Sequence, residues 1–252
     1  MHCQLKTISH YIDELLNPAS FQDVCINGIQ IEGKKNVRHI ATSVSATLQS
    51  IQKAKRLKAD ILLVHHGLFL KGKDLTLQDC LKEKLKILLN ADMSLLAYHL
   101  PLDAHVELGN NWPAAKMLGF FELEPFGYFS GVPIGVKARC EPMSQITLKN
   151  RLRAFYGRHV ETALFGAKTI QTVAIVSGSG HKLLLDAAHQ GIDCLITGTV
   201  DEPVWYTARE EKINFMACGH SATEKLGVQL LGEHLADKFD LTHTFIDDNN
   251  PF

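Results

Sequence analysis

A chain of 252 residues, 46% of them hydrophobic, is long enough for one large domain or two ordinary ones with a full core. Its 26 basic and 27 acidic residues leave a net charge of −1, which excludes a basic field for holding nucleic acid and any charged tail. Six scattered cysteines with no CxxC pair exclude a zinc ribbon or compact disulfide framework, and no apolar run approaches membrane-spanning length.

The first element is an amphipathic helix over residues 5–16 (LKTISHYIDELL), stopped by Asn17-Pro18. This start is not that of a signal peptide, so a reducing, cytoplasmic setting is expected. Residues 37–44 (VRHIATSV) read as a strand, 46–57 as a helix, 61–65 as a strand, 78–90 as a helix and 93–98 as a strand, with a further helix from about Asn110. The stretch 120–165 breaks this rhythm with Gly, Pro and Phe, interrupted by a helix around 144–156, and a domain junction is placed near 120–130. Alternation then resumes, with strands at 173–178, 193–198 and 214–218 and helices at 181–190, 203–211 and 222–236. The expected fold class is α/β: mostly parallel sheets covered by helices. The domains are expected at 1–125 and 126–252, with the C-terminal helix packing on the first.

The two halves echo each other. Ile40-Ala41 and Ala59-Asp60-Ile61-Leu62-Leu63 answer Val173-Ala174 and Ile192-Asp193-Cys194-Leu195-Ile196 at one offset of 133 residues. The third strands close in His99-Leu100-Pro101-Leu102-Asp103 and His220-Ser221-Ala222-Thr223-Glu224, both His-xxx-carboxylate. An internal duplication is one reading. The other is that buried parallel strands draw on the same few residues.

Ligands in open α/β sheets collect beyond the carboxyl ends of the strands. Three such ends carry donor side chains: His65-His66, His99 to Asp103, and His220 to Glu224. Neighbours on a strand face opposite ways, so His65 and His66 are able to serve two ions or two sides of one cluster. Imidazole with carboxylate is a donor set for zinc, iron, manganese or nickel. Each group has a plainer reading. The tandem histidines are able to be solvated punctuation, Asp103 a turn cap, His99 a core histidine, and Ser221 to Glu224 a helix capping box. Ser177-Gly178-Ser179-Gly180-His181 lacks the lysine of a phosphate-binding loop and reads better as a tight strand-to-helix turn. Cys218 reads as a small buried apolar residue.

ADILLVHHGLF, YHLPLDAHVELGNN and ACGHSATEKLGVQLLGEHL together resemble the dinuclear-metal-centre family, also called GTP cyclohydrolase I type 2 or NGG-interacting-factor-three-like. The resemblance implies two similar, interlocked α/β domains with a two-metal site in the cleft between them. It implies His65, His66, Asp103, His220 and Glu224 as metal ligands, Glu224 bridging, and His99 lining the same pocket outside the ligand set. It also implies ring-shaped homohexamers built as trimers of dimers. The family usually carries a glutamate after Ile196-Thr197-Gly198; here Thr199 stands there, so no role for an acid carries over.

The function expected is a dinuclear metal-dependent hydrolase of a nucleotide-like small molecule. Two divalent ions per chain would supply the nucleophile and His99 or His105 would move protons. The alternative is a non-catalytic metal-binding oligomeric scaffold that binds partner proteins or handles metal ions. No membrane or nucleic-acid partner is expected.

Overall fold

The computed structural model describes residues 2–251. In chain order the elements are β1 (Cys3–Gln4), α1 (Leu5–Leu16), β2 (Gly28–Ile31), β3 (Asn36–Val37), β4 (His39–Ser45), α2 (Leu48–Arg56), β5 (Ile61–His66), α3 (Asp79–Asn90) and β6 (Ser94–Ala97). They continue with α4 (Leu100–Ala104), α5 (Asn111–Met117), β7 (Phe121–Phe129), β8 (Val132–Ser144), α6 (Gln145–Tyr156), β9 (Glu161–Leu164) and β10 (Thr169–Val176). The last are α7 (Leu184–His189), β11 (Cys194–Thr197), α8 (Pro203–Glu210), β12 (Asn214–Ala217), α9 (His220–Thr223), α10 (Lys225–Phe239) and β13 (Thr242–Phe245).

The chain forms two compact units, Met1–Leu102 with Gly227–Asn249, and Asp103–Leu226 with Asn250–Phe252. The division therefore falls at Leu102/Asp103, not at residue 125, and Asp103 belongs to the second unit rather than the first. The Gly- and Pro-rich stretch that pointed to a junction is instead the β7–β8 antiparallel hairpin, paired from Phe121↔Arg139 to Phe129↔Val132. Its turn residues, Ser130 and Gly131, both have positive φ, which a hairpin tip requires and a linker would not need.

The first unit holds a five-stranded sheet in the order β13-β4-β5-β6-β2, parallel except for β2. Ile61, Leu62, Leu63 and Val64 of the central β5 are fully buried, because helices cover a parallel sheet on both faces. Helix α1 buries Leu5, Ile8, Ile12 and Leu16, one face at helical spacing, and ends at Asn17 in the left-handed conformation. The second unit holds a six-stranded mixed sheet, β7-β8-β10-β11-β12-β9, parallel only across β10-β11-β12.

The internal echo is structural. The register Ile40↔Ile61 recurs 133 residues later as Val173↔Cys194. Asp60 Oδ2 accepts from the N–H of Arg38 (2.6 Å) and His39 (3.0 Å), and Asp193 Oδ2 accepts from Gln171 and Thr172 (2.9 Å each), at that same offset. Each aspartate thus closes the open start of the neighbouring strand. The third strands align differently: Ala97 and Ala217 are equivalent, so His99 matches Gly219 and not His220.

Burial alone would raise the Asp60 carboxyl, but Lys34 and the Arg38 and His39 amides hold it below its ordinary value. A depressed native pKa means stability present above the unfolded value and lost as pH falls through the native one. Asp60→Asn is expected to lower unfolding free energy at neutral pH by about 1–2 kcal/mol, since a buried, charged acceptor of two backbone amides is replaced by a neutral one. In urea titrations the difference from the parent protein should shrink as pH drops through the acid range.

Candidate metal centre

The β5 strand ends in the two histidines because its buried aliphatic run stops there. His65 is fully buried and His66 partly so. The rings do not diverge as strand alternation suggested. Their centroids are 4.8 Å apart and tilted by 56°, and His99 joins them at 4.8 Å from His65 and 5.6 Å from His66. One ring nitrogen from each of the three lies within 4.8 Å of the other two.

Each ring is held through Nδ1. His65 Nδ1 lies 3.1 Å from the Tyr98 carbonyl. A carbonyl only accepts, so this Nδ1 carries the proton and the neutral ring has its lone pair on Nε2. His66 Nδ1 is 2.9 Å from Ser45 Oγ. His99 Nδ1 is 2.8 Å from Asp23 Oδ1. Anchored Nδ1 atoms with Nε2 lone pairs are the arrangement of imidazoles in metal sites, where the outer partner sets tautomer and ring orientation. Gln30 secures the turn beyond: its Oε1 accepts from the N–H of Leu68 and Phe69, and its Nε2 donates to the Ile26 and Phe69 carbonyls.

The second unit gathers the other expected ligands. Asp103 lies in α4 and is buried; its Oδ1 accepts from Asn110 Nδ2 (2.8 Å) and Ser177 Oγ (2.7 Å). Two donors on one oxygen fix the plane of the carboxylate. Asn111 Oδ1 in turn accepts from the Ser177 amide at 2.7 Å. The next residue, Gly178, has φ +57°, and a Cβ there would sit 2.2 Å from Glu224 Oε1 and 3.3 Å from His220 Nε2. The absence of a side chain at Gly178 is what admits the Glu224 carboxylate. His220 Nε2 and Glu224 Oε1 are 3.2 Å apart, close enough to share a proton or a cation. The pair forms across the junction of α9 and α10, with Glu224 at the C-terminal end of the single-turn α9, not inside one long helix.

The capping box that is the plainer alternative for Ser221–Glu224 is not formed. Gly219 is the N-cap of α9 with no side-chain bond, and the Glu224 side chain, 3% exposed, turns to His220. The Ser177–His181 stretch is a turn, as its composition indicated: Gly178 O accepts from the amides of Gly198 and Thr199. Cys218 is fully buried, and burial pushes its thiol up to about 12, the opposite of an activated nucleophile. His105 Nδ1 accepts from the amides of Glu107 and Leu108, which ties it to the turn after α4.

Sequence patterns did not point to Asp23, Gln30, Ser45 or Thr199. Thr199 is the most informative. Its Oγ1 lies 2.9 Å from His220 Nδ1, so a hydroxyl holds this imidazole. Thr199→Val, which keeps the shape and removes the partner, is expected to weaken divalent-metal binding about 10-fold in chelator competition. It should cost about 1 kcal/mol in stability.

A family model described as Duf34/NIF3 (NGG1p interacting factor 3) matches residues 3–251. A Pseudomonas aeruginosa protein named GTP cyclohydrolase 1 type 2 homolog is 41% identical, with all of both chains covered. One of the same name from Chlamydia pneumoniae is 40% identical over 97% of this chain and 98% of its own. The solved structure of protein ybgI, described as of unknown function, superposes with a TM-score of 0.93 at 37% identity, covering 99% of this chain and 100% of that one. The chain belongs to the Duf34/NIF3 family.

Proposed function

We propose that the protein is a dinuclear metal-dependent hydrolase acting on a nucleotide-like small molecule, in which His65, His66, Asp103, His220 and Glu224 hold two divalent ions of zinc, iron, manganese or nickel. The observation that carries this reading is the built state of the imidazoles: each expected ligand histidine has its Nδ1 engaged by a second group. The donor set fits hard-to-borderline cations, with three imidazoles and two buried carboxylates. His99 immediately precedes α4, and Asp103 lies within it.

Bound ions would supply a water ionised near neutral pH and an electrophilic clamp on the substrate oxygen. The chain's own part is orientation and proton movement. Ser177 and Asn110 hold the Asp103 carboxylate, Thr199 holds His220, and Gly178 makes room for Glu224. His99, with 22% of its side chain exposed, would take up a proton at Nε2 and pass it to solvent while Asp23 holds its Nδ1. His105, directly after α4, is a second carrier. The 37% exposure of the His220 side chain favours a reachable centre over an occluded structural one. On the same reading the chains assemble in the cytoplasm as homohexamers, trimers of dimers. Among the described residues no helix is long and apolar enough to cross a membrane.

The test is a screen of nucleotides and phosphoesters with metal-loaded protein, run beside Glu224→Ala. Turnover that disappears with the glutamate supports the hydrolase and names its reaction class. A metal-replete protein silent across the screen overturns it in favour of a metal-holding scaffold.

A further inference from the structure

The Asp23 carboxylate, beside the histidine group, is hydrogen-bonded through both oxygens. Its side chain is 1% exposed. Oδ1 accepts from the Cys25 amide at 3.0 Å and faces His99 Nδ1 at 2.8 Å; Oδ2 accepts from Asn27 Nδ2 at 3.1 Å and the Leu100 amide at 3.0 Å. Asn27 closes the loop, its Oδ1 accepting from the His99 amide at 2.8 Å. The segment 23–27 thus grips His99 by backbone and ring at once, across 76 positions of sequence.

A loop clamp alone would explain the backbone bonds. It would not require an ion. A carboxylate, like the carbonyl that faces His65, has no proton to give, so the ring nitrogen facing it must be the donor. We propose that Asp23 is a positioning residue that fixes His99 in the Nδ1-protonated tautomer, so that its lone pair resides on Nε2 for use beside His65 and His66.

The charge state agrees. Burial pushes the Asp23 carboxyl up, but the hydrogen bond and charge of His99, with the Cys25 amide and Asn27, outweigh it and hold it down to about 2. The hydrogen bonds from the Cys25 amide and Asn27 lower it whether or not the ring carries a charge. An imidazole in water favours the other neutral tautomer, with the proton on Nε2, and a ring so protonated would offer neither a ligand nor a base on that side. His65 reaches the same tautomer through a carbonyl. His99 reaches it through a carboxylate.

This rests on reading His65, His66 and His99 as one metal-associated group, and the test separates the two ideas. Long-range proton–nitrogen NMR correlations on histidine-labelled, metal-free protein at about pH 9 report each ring's tautomer, with the His99 signals identified by their loss in His99→Gln. Two variants are compared: Asp23→Asn, which removes the charge, and Asn27→Ala, which loosens the same clamp but leaves the carboxylate. The parent and Asn27→Ala proteins are expected to show His99 protonated on Nδ1. Asp23→Asn should move the lone pair off exclusive residence on Nε2, while Asn27→Ala only lowers the melting temperature. A parent protein with His99 protonated on Nε2, an Asp23→Asn spectrum identical to the parent's, or an Asn27→Ala shift equal to that of Asp23→Asn would overturn the proposal. A parent protein with the expected tautomer that binds no divalent ion would instead sink the metal centre and leave the tautomer assignment standing.

Discussion

Replacing Glu224 by alanine is expected to lower the metal content of the purified protein from about two equivalents per chain to one or fewer. The loss should exceed the roughly 10–100-fold in affinity that outer partners of a metal ligand are worth, because a ligand itself is removed. The fold should survive. Glu224 is buried beside His220, and the His220 side chain, 37% exposed, stays in reach of water once the carboxylate is gone, so no charge is left stranded in the interior. Metal analysis by mass spectrometry and a thermal melt of the stripped protein check the two halves of this expectation. His66→Ala should strip at least one ion in the same way. Full metal occupancy in both variants would refute the ligand assignment.

Gly198→Ala is expected to be the most damaging small substitution near the site. A Cβ at Gly198 would lie 2.7 Å from the His220 Cα, 2.8 Å from the Gly178 carbonyl oxygen and 2.6 Å from Thr223 Oγ1. Two of the three are backbone atoms, which are unable to swing aside as a side-chain end does. Gly198 also donates to Gly178 O and accepts from the Gly219 amide, so the ends of β10, β11 and β12 meet over this one residue. Overpacking of this kind costs about 3 kcal/mol. A variant that folds would hold His220 away from Glu224 and lose metal as well. Urea unfolding followed by circular dichroism measures the first effect. A loss below about 1 kcal/mol would show that the strand ends are looser than this packing implies.

Much of the fold was legible because of how parallel sheets are buried. The aliphatic runs Ile61–Val64 and Cys194–Thr197 are central strands with helices on both faces, so their sequences are continuous rather than alternating. The helix over 5–16 was legible from its single apolar face and its Asn-Pro stop. The antiparallel parts were harder. In β7 only Phe126 and Gly127 are buried, so no period-2 pattern marks the strand, and its Gly and Pro imitate a linker. The four-residue strands β2, β9 and β13 carry too few positions to show a period at all.

The identities of the metal-ligand candidates were determined by the sequence alone, because a strand that must stay apolar while buried changes character abruptly where it reaches a site. That is visible at His65-His66 and again at Gly219-His220. Only the tertiary structure decided how those side chains are held. Asp23 reaches His99 across 76 positions, Ser177 reaches Asp103 across 74, and Ser45 and Thr199 each reach their histidine across 21. The physical reason is that the tautomer of an imidazole or the plane of a carboxylate is set by the atom facing it, and no local spacing records which distant residue that will be.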